Sequence, residues 1–169
     1  MGPRNAAPEI KLLLGLLDEA YDRPGWHGPN LRGALRGLPA EKAAWKPAPG
    51  RNSVWQIALH CAYWKYAARM RLLGGGKRGS FARRPSNWPA LPVHCDAVSW
   101  KQDLALLDEE HRRLREEVAS FSAGRLSEQR GTSTAARLIY GIAAHDLYHA
   151  GQVRVLIKLS GGKRKGSRS

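Results

Sequence analysis

Apolar residues recur at helical spacing in four long segments of this 169-residue chain, and no other feature constrains the fold as strongly. Residues three or four apart lie on one face of a helix, so each segment can present an apolar stripe to a shared core. No segment shows the alternation of a half-buried strand. The segments run over about Ala7 to Tyr21, Ser53 to Leu73, Asp96 to Phe121 and Thr134 to Leu159. The pattern predicts an all-α four-helix bundle.

The connection between the second and third helices is long and rich in Gly, Pro and Arg, from Gly74 to Cys95. Because compact bundles rarely contain such links, we expect it to cross the domain or to cover a functional end. Residues 30–38 form a predicted short helical piece. The length fits one domain, which we place at residues 1–160, followed by a basic tail at 161–169 that we expect to be disordered.

The charge balance is strongly basic, with 28 Lys and Arg against 14 Asp and Glu and a formal net charge of +14. The basic residues are scattered, and neither zinc-finger spacing nor an aromatic RNA-binding motif is present. Nucleic acid is therefore a less favoured partner, although the positive net charge is compatible with it. The N-terminus does not resemble a signal peptide, and no window is apolar enough to span a membrane. We expect a cytoplasmic protein without membrane contact.

Three histidines take positions at which a bundle helix normally carries leucine. His145 and His149 are four residues apart and lie one turn over the other, while His60 holds a matching position on the second helix. Unpaired imidazoles are costly in an apolar stripe, and one metal ion would compensate all three. Core histidines bonded to backbone or neighbouring side chains are the alternative. The stripe of the fourth helix comprises Leu138, Ile142, His145, His149, Gln152, Leu156 and Leu159.

Other residues could edge the same cavity. Gln152 lies three residues beyond His149 and could bind substrate or form an interhelical hydrogen bond, and Tyr148 and Trp64 are further candidates for the pocket. His111 is a competing ligand on the third helix, where its charged neighbours suggest that water can reach it. For the ion itself we expect nickel or zinc, since neutral imidazole suits both divalent metals.

Four more residues are weaker candidates. His27 and His94 fall in predicted loops, where solvent is the simpler partner, although either could edge the pocket. Asp146 points about 100° away from its neighbour His145 around the helix, so we expect it to hydrogen-bond outside the ligand set. Cys61 is interpreted as a small buried apolar residue.

Two segments closely resemble the signature regions of the DinB/YfiT-like superfamily, which comprises damage-inducible and related bacterial proteins. They are Ser53–His60, with the sequence SVWQIALH, and Gly141–Gln152, with the sequence GIAAHDLYHAGQ. The resemblance implies a four-helix bundle of up-down-down-up connectivity, which needs a long link between helices two and three. It also implies that three family histidines, matching His60, His145 and His149, bind a divalent metal.

Characterised members of this family include thiol S-transferases that use bacillithiol or mycothiol and a maleylpyruvate isomerase. The resemblance thus implies a metal-dependent enzyme, either a low-molecular-weight-thiol S-transferase or a hydrolase, in which the ion activates a thiol or a water. Its partner would be a small molecule such as a thiol, and a homodimer stays open. The alternative is a non-catalytic metal-binding protein of damage or stress response, with a basic surface that contacts nucleic acid.

Overall fold

The computed structural model describes residues 7–74 and 80–161, and these are mostly helical, which confirms the all-α prediction. Residues 162–169 of the predicted tail lie outside the described residues. Among those described, no helix has both the length and the apolar character that crossing a membrane requires. The helices are α1 (Pro8–Tyr21), α2 (Leu31–Ala34), α3 (Ala40–Ala44), α4 (Val54–Leu72), α5 (Ala97–Ser120) and α6 (Ala135–Gly161).

Two connecting segments differ from the sequence-based expectation. The predicted piece at residues 30–38 contains only α2, and a further short helix, α3, follows Pro39. The segment before α6 contains a two-residue antiparallel hairpin, β1 (Gln129–Arg130) and β2 (Ser133–Thr134), although no strand was expected. Strands of two residues are too short to show alternation, so periodicity could not reveal them.

The start of α4 is fixed by a capping box. The Ser53 hydroxyl accepts a hydrogen bond from the Gln56 backbone N–H at 3.2 Å, and the Gln56 side chain accepts one from the Ser53 backbone N–H at 3.3 Å. These two bonds satisfy backbone donors that a helix N-terminus otherwise leaves unpaired. The cap therefore defines where the chain turns into α4, a few residues before the first candidate ligand.

The long helices pack around α4 and α6. Helix α4 contacts α5 and α6, and α1 contacts the same two helices. The segment Val54–Ala62 of α4 is buried at every position, because the link that follows α4 covers the side that the neighbouring helices leave open. Phe81 of this link is buried in the core, and the Pro89 carbonyl accepts a hydrogen bond from the Gln56 amide.

The buried face of α6 agrees only in part with the predicted stripe: Leu138, Ile142 and His149 are buried, whereas its C-terminal members are not. Leu159 is 55% exposed, and Gln152 and Leu156 are only partly buried. The rest of the buried face consists of three alanines, two aliphatic residues and one carboxylate: Ala135, Ile139, Ala143, Asp146, Ala150 and Val153. Alanine carries little hydrophobic weight in a sequence pattern, so the larger side chains beside this face dominated the prediction.

A buried ion pair joins α4 to α6. The Lys65 and Asp146 side chains are 0% and 1% exposed, and the Lys65 ammonium donates to both carboxylate oxygens. The Tyr21 ring of α1 lies 5.1 Å from the ammonium and stacks on His111 of α5 at 3.8 Å. Side chains of all four long helices thus meet at one buried charge pair. Such charges are tolerated in a core only because they are paired.

Replacing Lys65 by Met should lower the free energy of unfolding by about 3–5 kcal/mol, because Asp146 is then buried without a counter-charge. The double variant Lys65→Met/Asp146→Leu should recover most of this loss. Urea unfolding followed by circular dichroism measures both, with Lys158→Met on the exposed surface of α6 as the matched control. A Lys65→Met protein as stable as the parent would contradict the role of the pair.

Candidate metal centre

Three histidine side chains converge between α4 and α6. The Nε2 atom of His145 lies 3.2 Å from Nε2 of His60 and 3.1 Å from Nε2 of His149. His60 and His149 are buried, and His145 is partly buried. The structure thus brings together the three predicted ligands through the same ring atom of each.

These nitrogen atoms fit one divalent ion. Zinc–imidazole bonds of about 2.0–2.1 Å in the tetrahedral geometry that zinc prefers place two ligand nitrogens about 3.3–3.4 Å apart. This is close to the 3.2 Å and 3.1 Å that separate Nε2 of His145 from Nε2 of His60 and of His149. Lone pairs that face one another at this distance repel unless a proton or a cation lies between them. Three imidazoles that meet in this way can share one cation, or His145 can place a proton between its Nε2 and that of a neighbouring ring.

Two of the rings are oriented by hydrogen bonds at their other nitrogen. Nδ1 of His60 lies 2.6 Å from the Asn87 backbone oxygen, and Nδ1 of His149 lies 2.7 Å from the Gln152 side-chain oxygen. Because these oxygens only accept, Nδ1 carries the proton and the Nε2 lone pair points toward the other rings. Such partners are typical of metal-binding histidines, whose tautomer and orientation they set. Nδ1 of His145 is buried without a hydrogen-bond partner in the described parts of the chain.

Burial keeps the three imidazoles neutral. Loss of hydration lowers the pKa of His145 to about 3 and that of His149 to about 4, and it also lowers the pKa of His60. Repulsion between the rings adds to the first two shifts. Since a metal binds only the neutral imidazole, burial holds these side chains in the form that ligation requires.

The link between α4 and α5 forms one wall of the site. Trp88 stacks on the His60 ring at 3.7 Å with an interplanar angle of 7°, and Trp64 packs edge-on against the same ring. The expectation that this link covers a functional end agrees with the position of its described part, residues 80–95. Sequence analysis did not identify Asn87 or Trp88. A lone tryptophan in a proline-rich link was the available signal.

A cavity of about 1030 Å³ opens beside the histidines, with mainly apolar walls. Trp64, Tyr148 and Gln152, the predicted pocket residues, are all part of its lining. The Gln152 amide donates to the Tyr148 hydroxyl at 2.9 Å while its carbonyl oxygen accepts from His149. A polar chain thus extends from one candidate ligand to the edge of the cavity.

The remaining histidines lie elsewhere. His111 is 6% exposed and stacked on Tyr21, so the expectation that water reaches it is wrong, and it is not part of the cluster. Helix α5 buries it because the neighbouring charges that suggested exposure lie on other sides of the helix. His27 and His94 are exposed and do not line the cavity.

A second group of ligand types, Cys61, His145 and Asp146, is also close enough to share an ion. The chemistry of its members does not fit one. Asp146 is held by the Lys65 ammonium, and burial raises the pKa of the Cys61 thiol far above its usual range. A thiol must lose its proton to ligate a metal, and this thiol keeps its proton. We therefore assign the three residues to the core and not to a second metal site.

The described residues thus form an all-α protein with a histidine cluster that could hold a metal ion. The chain belongs to the DinB superfamily, whose family model matches residues 25–153, including all three histidines. This confirms the resemblance found in the sequence. Comparison with curated proteins and with solved structures gives no match.

The buried His111 should make stability depend on pH in the metal-free protein. Its pKa is about 3 in the folded state, because of burial and the nearby Lys65 and Arg115, and about 6.5 when unfolded. Between these values only the unfolded state takes up the proton, so the free energy of unfolding falls as the pH drops below about 6.5.

Replacing His111 by Phe keeps a ring against Tyr21 and removes the titrating group. The slope of unfolding free energy against pH between 6 and 5 should then decrease by up to roughly 1.4 kcal/mol per pH unit. Urea unfolding at several pH values measures it, with His94→Phe at an exposed position as the control. Equal slopes for His111→Phe and the parent would show that His111 titrates normally.

Proposed function

We propose that this protein is a metal-dependent enzyme that transfers a low-molecular-weight thiol to an electrophilic small molecule. One observation carries the proposal: three neutral imidazoles converge through Nε2 at the wall of a large apolar cavity. His60, His145 and His149 would hold nickel or zinc. Three protein ligands leave coordination positions for another molecule, as in catalytic and not structural sites.

A divalent ion bound there supplies Lewis-acid chemistry, which lowers the pKa of a coordinated thiol or water. The protein's own groups position the reactants. Gln152 orients His149 and donates to Tyr148, whose hydroxyl proton has no acceptor in the described structure and can be donated to a bound molecule. Trp64 and Trp88 line the cavity beside the histidines and give it an apolar surface there.

Two features favour a thiol over water as the nucleophile. Among the described residues that line the cavity there is no Asp or Glu to act as a general base. A thiol, with an ordinary pKa of about 8.5, needs far less activation than water at 15.7. The volume of about 1030 Å³ also reaches the upper limit for one drug-sized ligand, so the cavity has room for a thiol and an electrophile together.

The thiol must come from a small molecule, because the protein offers none at this site. Cys61 is fully buried and protonated, and Cys95 is exposed outside the cavity lining. A ternary arrangement of metal, thiol cofactor and electrophile is consistent with this. Neither cysteine would be modified during turnover.

We also infer that the four long helices form a bundle of up-down-down-up connectivity. The packing of α1 and α4 against both α5 and α6 supports this topology, as does the long link between α4 and α5. One domain over residues 1–160 with a basic tail at 161–169 stays part of the proposal, with Gly161 as the last residue of α6.

The proposal is tested by elemental analysis of untagged protein, followed by a screen of bacillithiol, mycothiol and other small thiols against an electrophile such as monochlorobimane. The parent should contain about one ion per chain. His145→Ala should lose the ion and reduce conjugation by more than about 100-fold. Loss of only a hydrogen-bond partner of a metal ligand already lowers metal affinity or activity about 10–100-fold.

His94→Ala, at an exposed position, is the matched control and should retain both properties. The proposal would be contradicted if the purified parent contained no metal, or if His145→Ala and the parent conjugated the thiol equally well. A salt-dependent shift of DNA by a protein that conjugates no thiol would instead favour the non-catalytic, nucleic-acid-binding alternative.

A further inference from the structure

We propose that Arg51 binds an anionic group of the substrate, so that the site selects molecules with an apolar body and one carboxylate. This inference rests on the proposed function because it concerns the same cavity. The first observation is the charge of the residues that line the cavity. Among the described residues around the cavity, Arg51 is the one with a permanent charge, and no carboxylate accompanies it.

The guanidinium group of Arg51 has no ion-pair or hydrogen-bond partner within residues 7–74 and 80–161. Some arginines of this basic protein pair with carboxylates, as Arg32 does with Asp108 and Arg115 does with Asp18, whereas Arg51, like Arg154, has no such partner among the described residues. Arg51 uses only its backbone N–H, which donates to the Ala48 carbonyl at 3.2 Å. Its side chain is exposed at the cavity and keeps all its donors for a ligand.

The backbone holds Arg51 in place. The hydrogen bond to Ala48 closes a turn in which Gly50 adopts a φ of +73°, a conformation that glycine takes readily. Two residues after Arg51, the capping box at Ser53 starts α4. The position is therefore fixed on both sides, and the positive end of the α4 dipole adds the same sign of charge.

The class of ligand follows from the cavity lining, which combines apolar side chains with one positive charge. Ile57, Trp64, Val155 and Leu156 give apolar contact, which suits an aliphatic or aromatic body. One guanidinium matches the planar two-oxygen geometry of a carboxylate and forms two charge-assisted hydrogen bonds with it. Among the described residues of the lining, no second permanently charged cation is available to balance a phosphate dianion, so a monoanion fits this part of the cavity better.

The test compares 4-phenylbutyrate with its neutral isostere 4-phenylbutanamide on the metal-loaded protein, with tryptophan fluorescence as the signal. The parent should bind the carboxylate at least about tenfold more tightly, since hydrogen bonds to charged groups exceed neutral ones by that order. Arg51→Met should lose this preference and bind the amide unchanged. Arg51→Lys should keep part of it, and Arg154→Met, an exposed arginine outside the lining, should keep all of it.

Several results would overturn the inference. Equal affinity of the parent for both probes, or failure to bind either, would exclude an anion-selective apolar site. A preference that survives Arg51→Met and disappears when the metal is removed would assign the carboxylate to the ion, and would leave the proposed function intact. A preference lost in Arg51→Met while the parent lacks metal would support the inference and defeat the proposed function.

Discussion

The buried ion pair between Lys65 and Asp146 sets the rotation of α6 about its axis. With Asp146 directed into the core toward Lys65, its neighbour His145 must point about 100° away. His149 follows one turn later on the same side, and both rings then meet His60. The candidate metal centre therefore depends on an ion pair that takes no part in it, and the adjacent Tyr21 connects α1 to the same point.

The three histidines could be predicted from the sequence because each interrupts an apolar pattern that a helix needs. Lys65 could not, because a lysine within a helix indicates solvent unless its partner is known, and that partner lies 81 residues further along the chain. The buried face of α6 was predicted only in part for a related reason, since alanines and Asp146 contribute much of it and carry little weight in an apolar pattern. Trp88 lies in an irregular link, whose path no periodicity describes.

The chemistry of the site follows from what surrounds the imidazoles. Burial and mutual repulsion keep His145 and His149 neutral, and Asn87 and Gln152 set the ring tautomers of His60 and His149. The described residues that line the cavity supply apolar walls and the guanidinium of Arg51, and none of them is a carboxylate. A nucleophile that needs little help to lose its proton, and a substrate with an apolar body and an anionic end, suit these conditions.

The central claim is that one divalent ion is bound through Nε2 of the three histidines. Nitrogen-15 NMR of the imidazole side chains in zinc-loaded protein tests it most directly, because the two ring nitrogens report protonation and coordination separately. We expect His60, His145 and His149 to show a protonated Nδ1 and a zinc-bound Nε2, and His111 to be neutral and uncoordinated. Spectra in which any of the three keeps an uncoordinated Nε2, or in which His111 binds zinc, would contradict the account.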